Sequence, residues 1–164
     1  SKSFVIERRN RLQTSGRELN TMTPQTSQRQ QADDVVEIRQ AALDYAQGWY
    51  EGDVERMRRS LYPELAKRRI LRDPQTGAEG FRHVTQQFML DLTQQGGGSE
   101  DVPSSKRYYD IAILDICGDI ASVRADTYEY VDYLHLARSQ GRWLIVNVLY
   151  LVKDNLASQA DAPQ

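Results

Sequence analysis

The sequence predicts an α+β fold, in which three helices from the first part of the chain pack on one face of a curved antiparallel sheet. Three observations predict it. Apolar residues recur at helical spacing between residues 34 and 92, they alternate or run continuously between residues 111 and 151, and short turn sequences separate these segments. The 164 residues suffice for one domain with a single core, so the fold needs neither disulfides nor a structural metal.

The first predicted helix begins at Asp33 or Asp34, either of which is a suitable N-cap, and ends at Gly52. Its buried stripe has spacings of four, three and four residues and consists of Ile38, Ala42, Tyr45 and Trp49.

Two shorter helices follow, and each has a capping residue. Asp53 caps the second helix, whose residues Val54, Met57 and Leu61 face the core. This helix ends before Pro63, because proline disfavours the helical conformation in the residue that precedes it. Thr85 caps a third helix that ends at Gly96, with an apolar face formed by Phe88, Met89 and Leu92. Between them we expect a short strand over residues 66–72 and a turn over residues 73–77.

The last third of the chain predicts long strands. Residues 111–116 are apolar on both faces, Gly118-Asp119 is a hairpin signal, and residues 120–133 form one further extended run. After a turn at residues 139–141, residues 143–151 are almost continuously apolar, as expected of a strand covered on both faces.

Charge and composition exclude several classes of protein. Residues 1–31 carry a net charge of +4 and residues 32–164 a net charge of −6, so the acidic globular part argues against nucleic-acid binding. No apolar run reaches the roughly 20 residues that span a bilayer, and we expect a cytoplasmic protein. A lone Cys117 cannot form a disulfide within the chain. We expect a polar basic arm over residues 1–32, a domain over residues 33–153 and a flexible tail over residues 154–164.

Several motifs resemble one known family. Four segments carry the resemblance: the helix pair Tyr45-Ala-Gln-Gly-Trp-Tyr-Glu-Gly-Asp-Val-Glu-Arg-Met57, the hairpin Ile113-Leu-Asp-Ile-Cys-Gly-Asp-Ile-Ala-Ser-Val123, the string Asp132-Tyr-Leu-His-Leu136 and the ending Gly141-Arg-Trp-Leu-Ile-Val-Asn-Val-Leu149. They are similar to the putative lumazine-binding family of the nuclear transport factor 2-like superfamily. The resemblance covers residues 35–152.

That resemblance implies a cone, in which a strongly curved antiparallel sheet and three helices on its concave face enclose an apolar pocket, commonly as a homodimer through the open sheet face. Relatives in the superfamily include ketosteroid isomerases, polyketide cyclases, dehydratases and proteins without catalytic activity. We therefore expect a protein that binds a small apolar or aromatic ligand without a cofactor. The alternatives are a cofactor-free isomerase, dehydratase or cyclase, and a structural dimer whose cone is filled by its own side chains.

Four residues are candidates for acid–base chemistry. Asp73, before Pro74, resembles the step that supplies the base in ketosteroid isomerases, although Asp-Pro is also an ordinary turn, and Tyr45 resembles their oxyanion-hole tyrosine. Strand alternation places Asp132 on one face and His135 on the other. His135 is the acid, base or ligand contact if it points into the cone, or a dimer contact if it does not.

The candidate ligand-binding residues are mostly aromatic, because flat side chains stack on flat ligands. They are Trp49, Tyr128, Tyr130 and the polar Asn147, which interrupts an apolar strand. Alternation also places Lys67 and Arg69 on one face, where they could either reach an anionic substrate or keep an edge strand solvated. We expect no metal site, since His83 and His135 lie far apart in the sequence.

Overall fold

A computed structural model describes residues 24–153, and the expectations for residues 1–23 and 154–164 lie outside that range. The elements occur in the order α1 (Pro24–Glu51), α2 (Val54–Ser60), β1 (Leu61–Arg72), β2 (Glu79–Val84), α3 (Gln86–Gln94), a 3-10 turn (Ser104–Lys106), β3 (Tyr109–Cys117), β4 (Ile120–Thr127), β5 (Tyr130–Ser139) and β6 (Arg142–Val152). The α+β class with three helices and a curved sheet is confirmed.

The six strands form one open sheet in the order β2-β1-β6-β5-β4-β3. All neighbours are antiparallel except β1 and β6, which run parallel, so the sheet is mixed rather than purely antiparallel. The reason is topological: β3 to β6 are joined by hairpins, whereas β1 comes from the helical half and docks beside the last strand. Register shifts in the β1–β6, β3–β4 and β5–β6 pairings add to the curvature.

The core lies between α1 and the inner face of this sheet. The predicted helix stripe is buried at Ile38, Ala42 and Tyr45. It meets alternate residues of the central strands, among them Val123 and Leu134, neither of which is exposed. Asp53 caps α2 by accepting hydrogen bonds from two backbone N–H groups, and Thr85 caps α3 in the same way from one, as predicted.

The first helix begins nine or ten residues before the predicted start. Residues 25 and 27–33 are exposed, and the apolar periodicity that located the helix is absent there, while Pro is well tolerated in a first turn. Residues 24–32, which we expected in the polar arm, are therefore an extension of α1.

Three strand predictions also needed correction. β1 starts at Leu61, because Pro63 falls in the irregular stretch of its pairing with β6, where no ladder hydrogen bond is lost. β2 was missed, since five of its six residues are exposed and no apolar alternation marks it. The extended run over residues 120–133 is two strands, β4 and β5, separated at residues 128–129.

Candidate functional site

A cavity of about 210 Å³ opens between α1, α3 and the inner face of the sheet. Every element around it supplies side chains: Tyr45, Ala46, Trp49 and Tyr50 from α1; Met89 and Leu92 from α3; Lys67, Arg69, Arg82 and Val84 from β1 and β2; and Thr127, Tyr130, Asp132, Tyr150 and Val152 from β4 to β6. The volume is below the roughly 300 Å³ at which sites for drug-sized ligands begin. A molecule bound here is therefore small.

A buried polar network lies in the wall of the cavity. The Tyr45 hydroxyl donates to Asp132 Oδ1 over 3.0 Å and accepts a short hydrogen bond from Lys67 Nζ. Lys67 Nζ also lies 3.4 Å from Asp132 Oδ1. The two charged residues are 8% and 4% exposed, which is rare for charged groups unless they are paired. A phenol, an amine and a carboxylate thus converge on one point.

Burial changes the acid–base character of this network. Desolvation lowers the pKa of Lys67 from its ordinary value, and the neighbouring Asp132 only partly opposes that effect. Desolvation, reinforced by the charge of Asp132, raises the pKa of Tyr45 well above its ordinary value, so the phenol keeps its proton at neutral pH. An amine with a lowered pKa beside a protonated phenol supplies two groups that can exchange a proton with a bound molecule.

Aromatic rings form much of the remaining wall. Trp49 meets Tyr130 edge to face with ring centroids 6.4 Å apart, and Tyr130 meets Tyr150 in the same way at 6.1 Å. The Tyr50 hydroxyl donates to Thr127 Oγ1 over 3.2 Å, which fixes its ring. Lys67 Nζ lies 4.1 Å from the centre of the Tyr150 ring. These flat surfaces suit a flat ligand.

Two arginines lie at the rim. Arg69 on β1 and Arg82 on β2 are direct cross-strand partners, and both line the cavity. Arg69 Nε is buried without a hydrogen-bond partner within residues 24–153. Like charges placed directly opposite each other destabilise a sheet, so this arginine pair does not contribute to the stability of the fold.

The structure brings four of the predicted site residues together. Tyr45, Trp49, Tyr130 and Asp132 all line the cavity. Asp132 lies there because strand alternation sends it, with Leu134 and Leu136, to the inner face of β5.

His135 and Asn147 lie on the opposite, outer face of the sheet. They are paired across β5 and β6, and the Asn147 side-chain amide lies 3.1 Å from His135 Nδ1. The same alternation that sends Asp132 inward sends His135 outward and leaves it exposed. Neither residue contacts the cavity.

Asp73 and Tyr128 also lie away from the cavity. Asp73 accepts hydrogen bonds from the backbone N–H groups of Gln75 and Thr76 at 2.7 and 3.0 Å, and these bonds hold its pKa below its usual range. It is the capping residue of an exposed turn. Tyr128 lies exposed between β4 and β5, with Lys106 Nζ 5.7 Å from its ring centre.

Several cavity residues were not predicted as site residues. Alternation along β1 correctly placed Lys67 and Arg69 on one face, but nothing in the sequence showed that this face is internal. Arg82 lies on the strand that was missed. Tyr150 gave no signal that distinguished it from an ordinary core aromatic.

The described part of the chain contains no cluster of three or more His, Cys, Asp or Glu side chains placed to hold a metal ion. The helices within residues 24–153 are also too short or too polar to cross a bilayer.

Known structures share this fold. A nuclear transport factor 2-like protein with a cystatin-like fold from Novosphingobium aromaticivorans superposes with a TM-score of 0.59 at 14% identity, over 87% of this chain and 97% of its own. A nuclear transport factor 2-like protein of unknown function from Shewanella baltica OS155 gives 0.56 at 20% identity, over 74% and 94%. The hexachlorocyclohexane dehydrochlorinase LinA-type3 from Novosphingobium barchaimii LL02 gives 0.53 at 11% identity, over 76% and 90%. At these identities the likeness shows the fold alone.

Sequence comparison gives a more specific result. No curated protein matches the chain with significance. A family model described as putative lumazine-binding matches residues 33–151, well over half of the chain. The match leads to one conclusion, with which the curved six-stranded sheet and its three helices agree: the chain belongs to the putative lumazine-binding family and has a nuclear transport factor 2-like fold.

Proposed function

We propose that this protein binds a small, flat, apolar or aromatic molecule in the cavity between α1, α3 and the sheet. One observation carries the proposal: an open space of about 210 Å³ is bounded by five aromatic residues, one Trp and four Tyr, and by a buried polar network. Binding pockets combine such apolar walls with a few polar groups that orient the ligand. The open volume also favours this function over that of a structural dimer with a filled cone.

Native mass spectrometry of the purified protein tests this proposal. We expect a small molecule that is retained under native conditions and released on denaturation, in at most one copy per chain. A matched control is Leu92→Trp, which fills part of the cavity from half-buried Leu92 on α3 without removing a polar group. The control should fold, as checked by circular dichroism, and lose the bound molecule. Equal retention by both proteins would contradict the proposal.

The Tyr45–Lys67–Asp132 network favours a second candidate, cofactor-free acid–base catalysis of the isomerase, dehydratase or cyclase kind. Such reactions need a base and a proton donor in a site shielded from water. The dehydrochlorinase that shares this fold is consistent with elimination chemistry on such a scaffold. His135 and Asp73 have no part in this candidate, because both lie outside the cavity.

Proton exchange on a bound molecule separates the two candidates. Deuterium incorporation at an acidic C–H of a ligand in D₂O, followed by NMR, should be accelerated by the wild-type protein and slowed at least tenfold by Tyr45→Phe. Tyr50→Phe is the control, because Tyr50 also lines the cavity but its hydroxyl is bonded to Thr127 instead of Asp132. No acceleration with a ligand that binds tightly would leave binding as the function.

We also propose a homodimer through the outer sheet face. That face exposes Tyr133 and Leu149, which are direct cross-strand partners. Exposed apolar groups that adjoin one another are typical of interaction surfaces. Light scattering should give twice the chain mass for the wild type and a monomer for Tyr133→Lys, whereas Val36→Lys, at an exposed position on α1, should leave the dimer intact.

A further inference from the structure

We infer that the cavity takes a flat molecule of one or two rings that carries an oxyanion, which Arg69 and Arg82 hold at the rim. This inference rests on the proposed binding function and specifies the chemistry of the ligand.

The first argument is the charge of the cavity. Among the described residues that line it, Lys67, Arg69 and Arg82 are cationic, whereas Asp132 is the single carboxylate. Asp132 is already engaged by Tyr45 and Lys67. Within residues 24–153, the ion pairs formed by β1 and β2 are Lys67–Asp132 and Arg72–Glu79. The two rim arginines therefore have no carboxylate partner in the described part of the chain.

The second argument is the geometry of the arginine pair. Arg69 and Arg82 occupy directly opposed positions on neighbouring strands, where cross-strand side chains have Cβ atoms about 5 Å apart. Guanidinium groups carried on such neighbouring positions repel each other, and an anion between them would offset that repulsion. A carboxylate or phosphate suits them, because guanidinium groups bind such oxyanions through paired hydrogen bonds.

The third argument is an unsatisfied donor. Arg69 Nε is buried and has no acceptor within the described residues, and a buried donor that stays unpaired destabilises the fold. Each guanidinium group lies over an aromatic ring: the centre of the Tyr150 ring lies 5.8 Å from Arg69 Cζ, and the centre of the Phe88 ring lies 5.8 Å from Arg82 Cζ. Aromatic faces hold the arginines in place but supply no acceptor for Nε.

The two ends of the cavity differ in chemistry, and each fits a different end of the ligand. The oxyanion lies beside Arg69 and Arg82, and the flat body lies inward against the wall formed by Trp49, Tyr130 and Tyr150. The cavity volume of about 210 Å³ limits that body to one or two rings. A polar group at the inner end would meet Tyr45 and Lys67.

Isothermal titration calorimetry with matched probes tests this inference. The probes are 2-naphthoate, 2-naphthyl phosphate and the neutral 2-naphthamide, which nearly matches the carboxylate in shape. The wild type should bind one or both anions at least tenfold more tightly than the amide, since hydrogen bonds to charged groups contribute about 1.5–3 kcal/mol. Which anion binds more tightly distinguishes a carboxylate ligand from a phosphate ligand. Added salt should weaken anion binding and leave amide binding unchanged.

Three variants test whether Arg69 and Arg82 cause the preference for the anion over the amide. Arg69→Gln and Arg82→Gln should each remove most of the preference for the anion. Arg68→Gln should not, because Arg68 lies between Lys67 and Arg69 on the same strand but contacts Asn147 on the outer face. Arg82 is exposed at the edge strand, so its variant should fold even if Arg69→Gln does not.

The remaining outcomes separate this inference from the proposed function. Equal binding of anion and amide would overturn the inference while the proposed binding function stands. An anion preference that persists in both arginine variants would also overturn it. If none of the three probes binds, the proposed aromatic site is wrong and the inference is overturned with it.

Discussion

Replacing Asp132 by Asn should destabilise the protein strongly, with a loss that shrinks as the pH rises. The substitution keeps the shape of the side chain and an oxygen that can accept from Tyr45. It removes the negative charge that lies 3.4 Å from Lys67 Nζ. Lys67 is 8% exposed, so its ammonium group would be left buried without a counter-charge.

Two independent calculations give the magnitude of this loss. Opposite unit charges 3.4 Å apart attract by about 5 kcal/mol at an effective dielectric constant of about 20. Alternatively, Lys67 can lose its proton. From its ordinary pKa of 10.5, deprotonation at pH 7 requires about 5 kcal/mol at about 1.36 kcal/mol per unit, which is an upper bound. Both values agree with the roughly 3–5 kcal/mol observed when one partner of a buried pair is removed.

The pH dependence follows from the same reasoning. In the variant, the pKa of Lys67 falls below its wild-type value, which is itself lower than 10.5, so the folded variant binds fewer protons than the folded wild type between those two pKa values. Stability relative to wild type therefore rises with pH across that window. By pH 9.5 the deprotonation of Lys67 requires at most about 1.4 kcal/mol, and the loss should fall to that size or less.

Urea denaturation followed by circular dichroism at pH 7.0, 8.0, 9.0 and 9.5 measures both effects. A loss of about 3–5 kcal/mol at pH 7 also corresponds to a melting temperature lower by roughly 6–20 °C. Glu79→Gln is the control, because it breaks the exposed Arg72–Glu79 pair on β1 and β2 and should change stability by less than about 1 kcal/mol.

A further variant separates charge from packing. Lys67→Met combined with Asp132→Asn removes the unpaired cation and should recover most of the lost stability. The reasoning is refuted if Asp132→Asn loses less than about 1 kcal/mol at pH 7, or if its loss does not change between pH 7 and pH 9.5.

Two further predictions concern the loss of stability at low pH and the loop of Gly96, Gly97 and Gly98 that follows α3. Burial alone would raise the pKa of Asp44, but hydrogen bonds from Arg59 and Gln40 hold it below its ordinary 3.8. The stability from these contacts is therefore present above pH 3.8 and lost as the pH falls through the lowered pKa. The stability of Asp44→Asn should decline less steeply with falling pH than that of the wild type, and an equal slope would contradict this. Gly97 has φ +54, and a Cβ there would lie 2.3 Å from the carbonyl oxygen of Trp49, so Gly97→Ala should reduce stability by more than the roughly 1–2 kcal/mol of left-handed backbone strain. Gly77→Ala, at φ +70 with nothing within 4 Å, isolates that strain, and equal losses in thermal unfolding would show that the close approach to Trp49 does not matter.

Local patterns in the sequence were sufficient for most of the architecture. The helical spacing of Ile38, Ala42 and Tyr45 depends only on residues one or two turns apart, and the capping roles of Asp53 and Thr85 depend on the next three residues. Where the local pattern was absent, as in the polar first turns of α1 and the exposed strand β2, the prediction failed.

The candidate site was likewise predictable only as far as local sequence patterns reached. Alternation along β5 placed Asp132 and His135 on opposite faces, but it did not show which face is internal. The structure places the inner face under α1, so Asp132 lines the cavity and His135 does not.

The sequence by itself determined the fold class, the presence of the three helices, the β3–β4 hairpin, and which residues share a strand face, because each of these follows from contacts between residues close in the chain. Only the tertiary structure decided what meets across the cavity. Tyr45 and Asp132 lie 87 residues apart, and Lys67 is 22 residues from Tyr45. Their meeting depends on the parallel docking of β1 beside β6, and the opposition of Arg69 and Arg82 depends on the register of β1 with β2. Register between distant segments is set by the packing of the whole core, which no local pattern encodes.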